Sequence, residues 1–505
     1  MIQFTAQEIA HITGGTLSPV EGIELLTPQN VVTDSREATN GSLYVAKPGE
    51  HADGHDFIGA AMTNGATLVL GERQVLDPSG APYPTVIVPD AVLAMGALAS
   101  ASVQRIRTAR SAQGHDFTVV GITGSAGKTT TKDLLAGIFG SVAKTVAPQG
   151  SYNGEVGVPL TVFMADESTR FLVIEMGATS IGHISYLAAM VKPDIGVVLG
   201  VGTAHAGEFG GVENIAKAKG ELAEAIAPEG TVVLNLDDAR VAAMRSRAVG
   251  RVLGFTALGS PEATADTVRA IDPATNAEGY PEFELQFAMG ERFPVSAKLI
   301  GAHHVTNLLA AASAASAAGV EHSVIVAALN TQSAASRWRM ERTERGDGVT
   351  IINDAYNANP ESMRAALRTL ADLGRGRRTW AVLGAMLELG EESIREHAAV
   401  GTQVVRLNIS KLLVVGQAAR PLYISAIQEG SWGSEALFAA TVEEAIEILD
   451  EQLESGDLVL FKSSNGVGLR FLGDQIALPK QALSGQSIDQ QPGVEAPANE
   501  GNDQL

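Results

Sequence analysis

From residue 117 onward the chain repeats short, near-continuous apolar runs separated by longer amphipathic stretches. Phe117–Ile122, Phe171–Met176, Ile195–Leu199 and Thr231–Leu236 are four such runs. Strands that are apolar on both faces predict a parallel sheet covered by helices. A second block begins near residue 335, with runs Val349–Ile352, Thr379–Leu383, Lys411–Val415 and Leu458–Lys462. Ahead of both, Val31–Val32, Leu43–Ala46, Ala66–Leu70 and Thr85–Val88 alternate with turns, the pattern of a small mixed α/β unit. Helix starts are marked by the capping-box spacing Thr5-Ala-Gln-Glu8 and by Asn359 as N-cap with Pro360 and Glu361 behind it. The Ala-rich stretch from Val305 to Ala318 reads as a buried helix.

These patterns predict an α/β protein of three domains: a mixed α/β unit over 1–110, a central parallel-sheet unit over 111–334 and a Rossmann-like α/β unit over 335–478. At roughly 150 residues per domain, 505 residues suggest about three. The remaining 479–505 is rich in Gln, Ser, Pro, Asn and Gly and is expected to be a disordered tail.

Composition narrows the chemistry. The formal net charge is −21, and the densest basic cluster is only Arg375-Gly-Arg377-Arg378, so no nucleic-acid partner is expected. The absence of cysteine excludes disulfides, thiolate metal sites and a cysteine nucleophile. No Lys or Arg precedes Arg36, so a basic signal-peptide start is missing, and Leu308–Val320 is too short to span a bilayer. A cytoplasmic location without membrane insertion is expected.

The strongest chemical signal is Gly121-Ile-Thr-Gly124-Ser-Ala-Gly127-Lys128-Thr129-Thr130, placed between a strand and a helix. Glycines there let backbone N–H groups turn around phosphate oxygens, and the following helix adds its positive N-terminal end. Lys128 is placed to reach the β/γ-phosphates and the Thr129 hydroxyl to join a Mg²⁺ shell. The usual first glycine falls on Ile122, the glycines sitting at 121, 124 and 127 instead.

Other polar residues interrupt the apolar pattern. Glu175 closes an apolar run, where it can hold Mg²⁺ or equally be a solvated strand end. His205 follows the next strand, a position more often structural than functional, and Lys219 lies on an expected helix, where exposure is the default. Asp354-Ala-Tyr356-Asn357-Ala-Asn359-Pro360 packs polar side chains between a strand and a capped helix, which favours ligand contact. In His51-Ala-Asp53-Gly-His55-Asp56 the interposed glycine opposes alignment of both histidines, so a metal site is the minority reading.

Together these residues resemble the Mur ligase family of ATP-dependent amide-forming enzymes. The phosphate loop, Glu175-Met-Gly177, His205, Lys219-Gly-Glu221, Asn235-Leu-Asp237-Asp238 and Gly301-Ala-His303 through Asn307 occur in the family's order, over about residues 1–478. Thr33-Asp-Ser-Arg36 with Asp53-Gly-His-Asp-Phe57, Asn353-Asp354-Ala-Tyr-Asn-Ala-Asn-Pro360 and Leu383-Gly-Ala-Met-Leu-Glu-Leu-Gly390 resemble the branch that adds D-alanyl-D-alanine to UDP-N-acetylmuramoyl-tripeptide.

The resemblance implies a UDP-substrate domain, an ATPase domain with the phosphate loop and a C-terminal domain. It implies ATP, two Mg²⁺ ions and an acyl-phosphate intermediate. Lys128, Glu175, His205 and Lys219 would be catalytic, with Thr129, Glu175, His205 and a carbamylated Lys219 holding metal. Gly124, Ser125, Ala126, Gly127, Lys128, Thr129, Thr130, Asn307, Arg339 and Asp354 would bind the nucleotide. Ser35, Arg36, Asp53, His55 and Asn153 would face the UDP-sugar substrate, and Tyr356, Asn357 and Asn359 the incoming dipeptide. A monomer is expected. The alternatives are a tripeptide-forming relative or a P-loop NTPase that is not a ligase.

Overall fold

A computed structural model describes residues 1–49, 52–148, 150–203, 209–430 and 434–478. The expected tail therefore lies outside the described residues, as do His51 and His205. Three sheets organise the described residues.

The N-terminal sheet orders its strands Thr16–Leu17, Thr85–Ile87, Ala66–Gly71, Ser42–Ala46 and Asn30–Val32. All pairs are parallel except the short first one. The Thr5 capping box forms as the sequence predicts and starts the helix Ala6–Thr13. A long helix, Ala91–Ala112, then leaves this sheet. Its residues Leu98, Val103 and Ile106 share one apolar core with Ile9 and Leu70 on the N-terminal side and with Leu172 and Ile184 on the central side. The boundary expected near residue 110 thus falls in the last turn of a helix that joins two units.

The central sheet has nine strands. Its parallel part runs Thr145–Val146, Phe171–Glu175, Thr118–Thr123, Ile195–Val198, Thr231–Asn235, Arg251–Thr256 and Thr267–Thr275. Two antiparallel strands, Pro281–Gln286 and Arg292–Ser296, extend it. The sequence pattern anticipates the four parallel strands Thr118–Thr123, Phe171–Glu175, Ile195–Val198 and Thr231–Asn235, but not Thr145–Val146, Arg251–Thr256, Thr267–Thr275 or this extension. Pro281–Gln286 alternates buried and exposed residues, as a strand covered on one face must. Strand Thr118–Thr123 lies between the next two long strands of the chain, so connections depart from it in both directions. The crevice beyond the C-terminal end of such a strand is where open α/β sheets bind ligands. The expected buried helix appears as His304–Ala317, packed with helix Lys128–Gly140 on one face of the sheet.

The C-terminal sheet runs Glu341–Glu344, Thr350–Asn353, Leu458–Lys462, Thr379–Leu383, Lys411–Val415 and Ala436–Ala439. Only the first pair is antiparallel. Apolar clusters cover both faces. Helix Pro360–Leu373 starts at Asn359, whose side-chain oxygen accepts from the Ser362 N–H at 2.9 Å. The same helix faces the central unit, and this places its N-terminal end over the phosphate loop. No helix among the described residues is long and apolar enough to cross a membrane.

Candidate active site

One cleft of about 1140 Å³ opens between the units and is lined by the phosphate loop, Glu175, Lys219, Asn307, Arg339 and Asp354. Strand Thr118–Thr123 ends at the loop, and Gly127 caps the following helix with φ +84°. A side chain is strained at that angle, and a Cβ there would lie 2.3 Å from Asn307 Oδ1. Both effects require glycine. The glycine offset in the motif also has a physical reason. Gly121 belongs to the strand, where a Cβ would meet the Met176 and Leu222 side chains at 3.1 and 3.2 Å, so it serves packing. Gly127→Ala is expected to raise the KM for ATP about 30-fold, because the loop must open where the phosphates would lie. Initial rates across an ATP titration check this, and an unchanged KM would separate the loop from nucleotide binding.

Ser125 ties neighbouring loops to this turn. Its Oγ accepts from the Gly202 N–H at 2.8 Å, its N–H donates to Gly200 O at 2.9 Å, and its carbonyl accepts from Asn359 Nδ2 at 3.2 Å. Ala126 and Thr130 line the same cleft. Lys128 donates from Nζ to the Gly124 carbonyl at 2.8 Å. Burial lowers its pKa; the Glu175 carboxylate pulls the other way, and the Arg339 guanidinium adds to the lowering. A polyanion beside it would restore the charged form.

Glu175 is 1% exposed, which removes the solvated-strand-end alternative. Its Oε2 accepts from Thr129 Oγ1 at 3.0 Å and its Oε1 from Asn153 Nδ2 at 2.9 Å. Ser151 Oγ lies 3.3 Å from Thr129 Oγ1. Thr129, Ser151 and Glu175 thus gather hard oxygen donors at the helix start, the chemistry that suits Mg²⁺. Among the described residues no group of three or more His, Asp or Glu is placed to hold a metal ion, so the donors here are Glu175 and hydroxyls.

Lys219 departs from the default for a helical lysine. It sits on helix Val212–Ala225 but is only 5% exposed and turns into the cleft. Burial pushes its pKa down to about 7, and Lys128 adds to the shift. His303 and His304 also line the cleft; burial lowers His303 to about 4 and His304 well below its usual value, so both are neutral. The Asn307 amide lies 3.2 Å from His304 Nδ1.

The C-terminal unit closes the cleft. Arg339 Nη2 donates to Thr129 Oγ1 at 3.2 Å and Ser151 Oγ at 3.3 Å, while its guanidinium lies 4.5 Å from the Tyr356 ring centroid. Asp354 accepts from the Met340 N–H at 3.1 Å and pairs with Lys462 Nζ at 2.6 Å. Lys462 also donates to the Asn357 carbonyl. Asn359 uses its amide for the helix cap and for Ser125, so it acts as a joint between units. Glu361 adds a second joint, accepting from the Thr203 N–H at 2.9 Å and its hydroxyl at 3.0 Å.

The N-terminal candidates lie elsewhere. Thr33 lines the cleft, but Ser35, Arg36, Asp53 and His55 do not. Ser35 is buried, and Arg36 is exposed and chelated by Asp34. His55 is buried with both ring nitrogens engaged: Nδ1 lies 2.6 Å from Asp53 Oδ1, and Nε2 accepts from the Glu72 N–H at 2.8 Å. That pattern braces its own domain. Asp53 also pairs with Arg73. Ser151, Glu361 and Lys462 were not singled out as site residues from the sequence. A lysine closing the apolar run Leu458–Lys462 was the one available signal among them.

Comparisons with known proteins fit this geometry. Three family descriptions match: "Mur ligase family, catalytic domain" over 28–117, "Mur ligase middle domain" over 122–315 and "Mur ligase, glutamate ligase domain" over 338–465. The UDP-N-acetylmuramoyl-tripeptide–D-alanyl-D-alanine ligase of Mycobacterium tuberculosis (strain ATCC 25618 / H37Rv) is 40% identical, covering 94% of this chain and 98% of that protein. A crystal structure of MurF from Acinetobacter baumannii superposes with a TM-score of 0.81 at 28% identity, covering 94% of this chain and 99% of the other. MurF ligase from Thermotoga maritima in complex with ADP gives 0.73 at 27% identity, over 88% and 97%. The chain belongs to the Mur ligase family.

Proposed function

We propose that this chain is the ATP-dependent ligase that joins D-alanyl-D-alanine to UDP-N-acetylmuramoyl-tripeptide, giving the pentapeptide precursor of peptidoglycan. The observation that carries the reading is the convergence of a phosphate-loop lysine, a buried carboxylate and residues of the C-terminal unit on one cleft. The relatives named for this reaction cover nearly the whole chain, and one solved relative binds ADP.

Two half-reactions balance. The terminal carboxylate of the tripeptide attacks the γ-phosphorus of ATP, forming an acyl phosphate and releasing ADP. The dipeptide amine then attacks the acyl carbon, forming the amide, with phosphate as leaving group and a proton lost from nitrogen. The first half must bring two anionic groups together, so the protein has to concentrate positive charge there. Backbone N–H groups of residues 124–130, the start of helix Lys128–Gly140, Lys128 and Arg339 supply it. Thr129 and Glu175 would hold Mg²⁺, which supplies charge neutralisation on the phosphates when bound. Asn307 and Asp354 would orient the nucleotide, and Asn153 would reach the substrate side from Glu175. Tyr356 and Asn357 line the side of the cleft nearest the third unit and are assigned to the dipeptide. His205, outside the described residues, and a carbamylated Lys219 would hold a second Mg²⁺. Ser35, Arg36, Asp53 and His55 would shape the UDP-sugar side from the N-terminal unit.

The test is phosphate release from ATP with the UDP-tripeptide present, with and without D-Ala-D-Ala. Release that depends on the dipeptide and matches pentapeptide formation is expected. Release indifferent to the dipeptide would replace the ligase by an NTPase.

A further inference from the structure

Two residues flanking Arg339 adopt backbone angles that bulky side chains rarely take: Trp338 has φ +58° and Met340 φ +52°. Such conformations persist only where surrounding contacts over-determine them, and they cluster at functional sites. The contacts are on hand. Trp338 Nε1 donates to both Asp474 oxygens, at 3.1 and 2.9 Å, and Phe471 meets its ring edge-on with centroids 6.0 Å apart. Asp474 itself is fixed by Asn353 Nδ2 at 3.1 Å and Arg337 Nη2 at 2.9 Å. The Trp338 N–H donates to Glu341 Oε2 at 2.8 Å, and the Met340 N–H to Asp354 Oδ1 at 3.1 Å.

Trp338 is thereby held against helix Leu469–Ala477, while Arg339 reaches the opposite way, to Thr129 and Ser151 in the central unit. Arg339 Nε is buried and has no partner among the described residues, a donor left over beside the phosphate loop. A free arginine spends much rotamer entropy to aim its fork, and a pinned turn with the Tyr356 ring beneath reduces that loss.

We infer that Trp338 and Asp474 are positioning residues that aim the Arg339 guanidinium at the ATP phosphates. This deepens the ligase reading above and rests on it. The test uses full-length Trp338→Phe, which keeps a ring and loses the Nε1 donor, and Asp474→Ala, each alone and combined with Arg339→Ala. Both single variants should raise the KM for ATP about tenfold, the loss expected when one charge-assisted hydrogen bond is misaligned. The KM for D-Ala-D-Ala should stay within about twofold in Trp338→Phe, because that variant keeps a ring stacked beside Tyr356, whose centroid lies 6.3 Å from that of Trp338. In the Arg339→Ala background neither should raise the ATP KM further. An unchanged ATP KM in Trp338→Phe, or a rise that persists without Arg339, overturns the inference. Asp474 also anchors Arg337 and Asn353, so thermal melts accompany it, and Trp338→Phe decides if Asp474→Ala melts early. Wild-type protein that fails to join dipeptide to UDP-tripeptide would instead refute the ligase reading itself.

Discussion

Lys128→Ala should lower kcat by about 10⁴-fold, roughly 5 kcal/mol of transition-state stabilisation, with the fold intact. The size follows from where the charge sits. The Lys128 amine is half-buried in the cleft beside Glu175 and Arg339, in surroundings that weaken screening by water. Charge moving between the γ-phosphoryl group and the attacking carboxylate would therefore meet Lys128 at nearly full strength. The fold has little to lose, because the protein partner of its Nζ is the nearby Gly124 carbonyl and burial already disfavours its charged form. Single-turnover formation of ADP and pentapeptide, with circular dichroism and a melt on the same sample, checks both halves. Near-normal product formation by a folded Lys128→Ala protein would sink the proposed mechanism.

The phosphate loop was legible in the sequence because its chemistry is contiguous: strand, glycine turn, Lys128 and Thr129 follow one another. The caps at Thr5 and Asn359 were legible for the same reason, and Thr379–Leu383, Lys411–Val415 and Leu458–Lys462 form at the expected residues. What failed was information carried across the chain. The helix Ala91–Ala112 packs against two units at once, so it lacks the single apolar stripe that marks a helix on one core. The antiparallel strands Pro281–Gln286 and Arg292–Ser296 each carry a proline, a residue that reads against a strand in a sequence. Burial of Lys219 and the joints Asn359–Ser125 and Glu361–Thr203 depend on residues far apart in the chain, which periodicity does not register. Trp338 carries no sequence signal for a left-handed backbone, since glycine is the usual mark of that conformation.

Lys219→Ala should lower kcat by about 10³-fold, and short carboxylic acids such as formate or acetate should restore part of it, by the logic of replacing a missing anion at a cation site. Carbamylation needs the neutral amine: nitrogen attacks CO₂, an N–H bond breaks, and the proton leaves to solvent as the carbamate forms. An ordinary lysine is neutral in only about one molecule in 2,500 at pH 7. With its pKa pushed down to about 7, Lys219 carries a substantial neutral fraction there, the form that the proposed reaction with CO₂ would need. The same shift has a stability signature. Its folded pKa lies below the unfolded value, so between about pH 7 and 10.5 the unfolded chain binds more protons and stability rises with pH. Lys219→Met, which keeps the stem without the amine, should therefore out-melt wild-type protein kept free of CO₂ at pH 7, with the gap closing toward pH 10. Adding bicarbonate to wild type should raise activity, and Lys219→Met should not respond. Full activity of Lys219→Ala without any additive would remove this lysine from the mechanism, and a melting gap independent of pH would contradict the buried, neutral amine on which carbamylation depends.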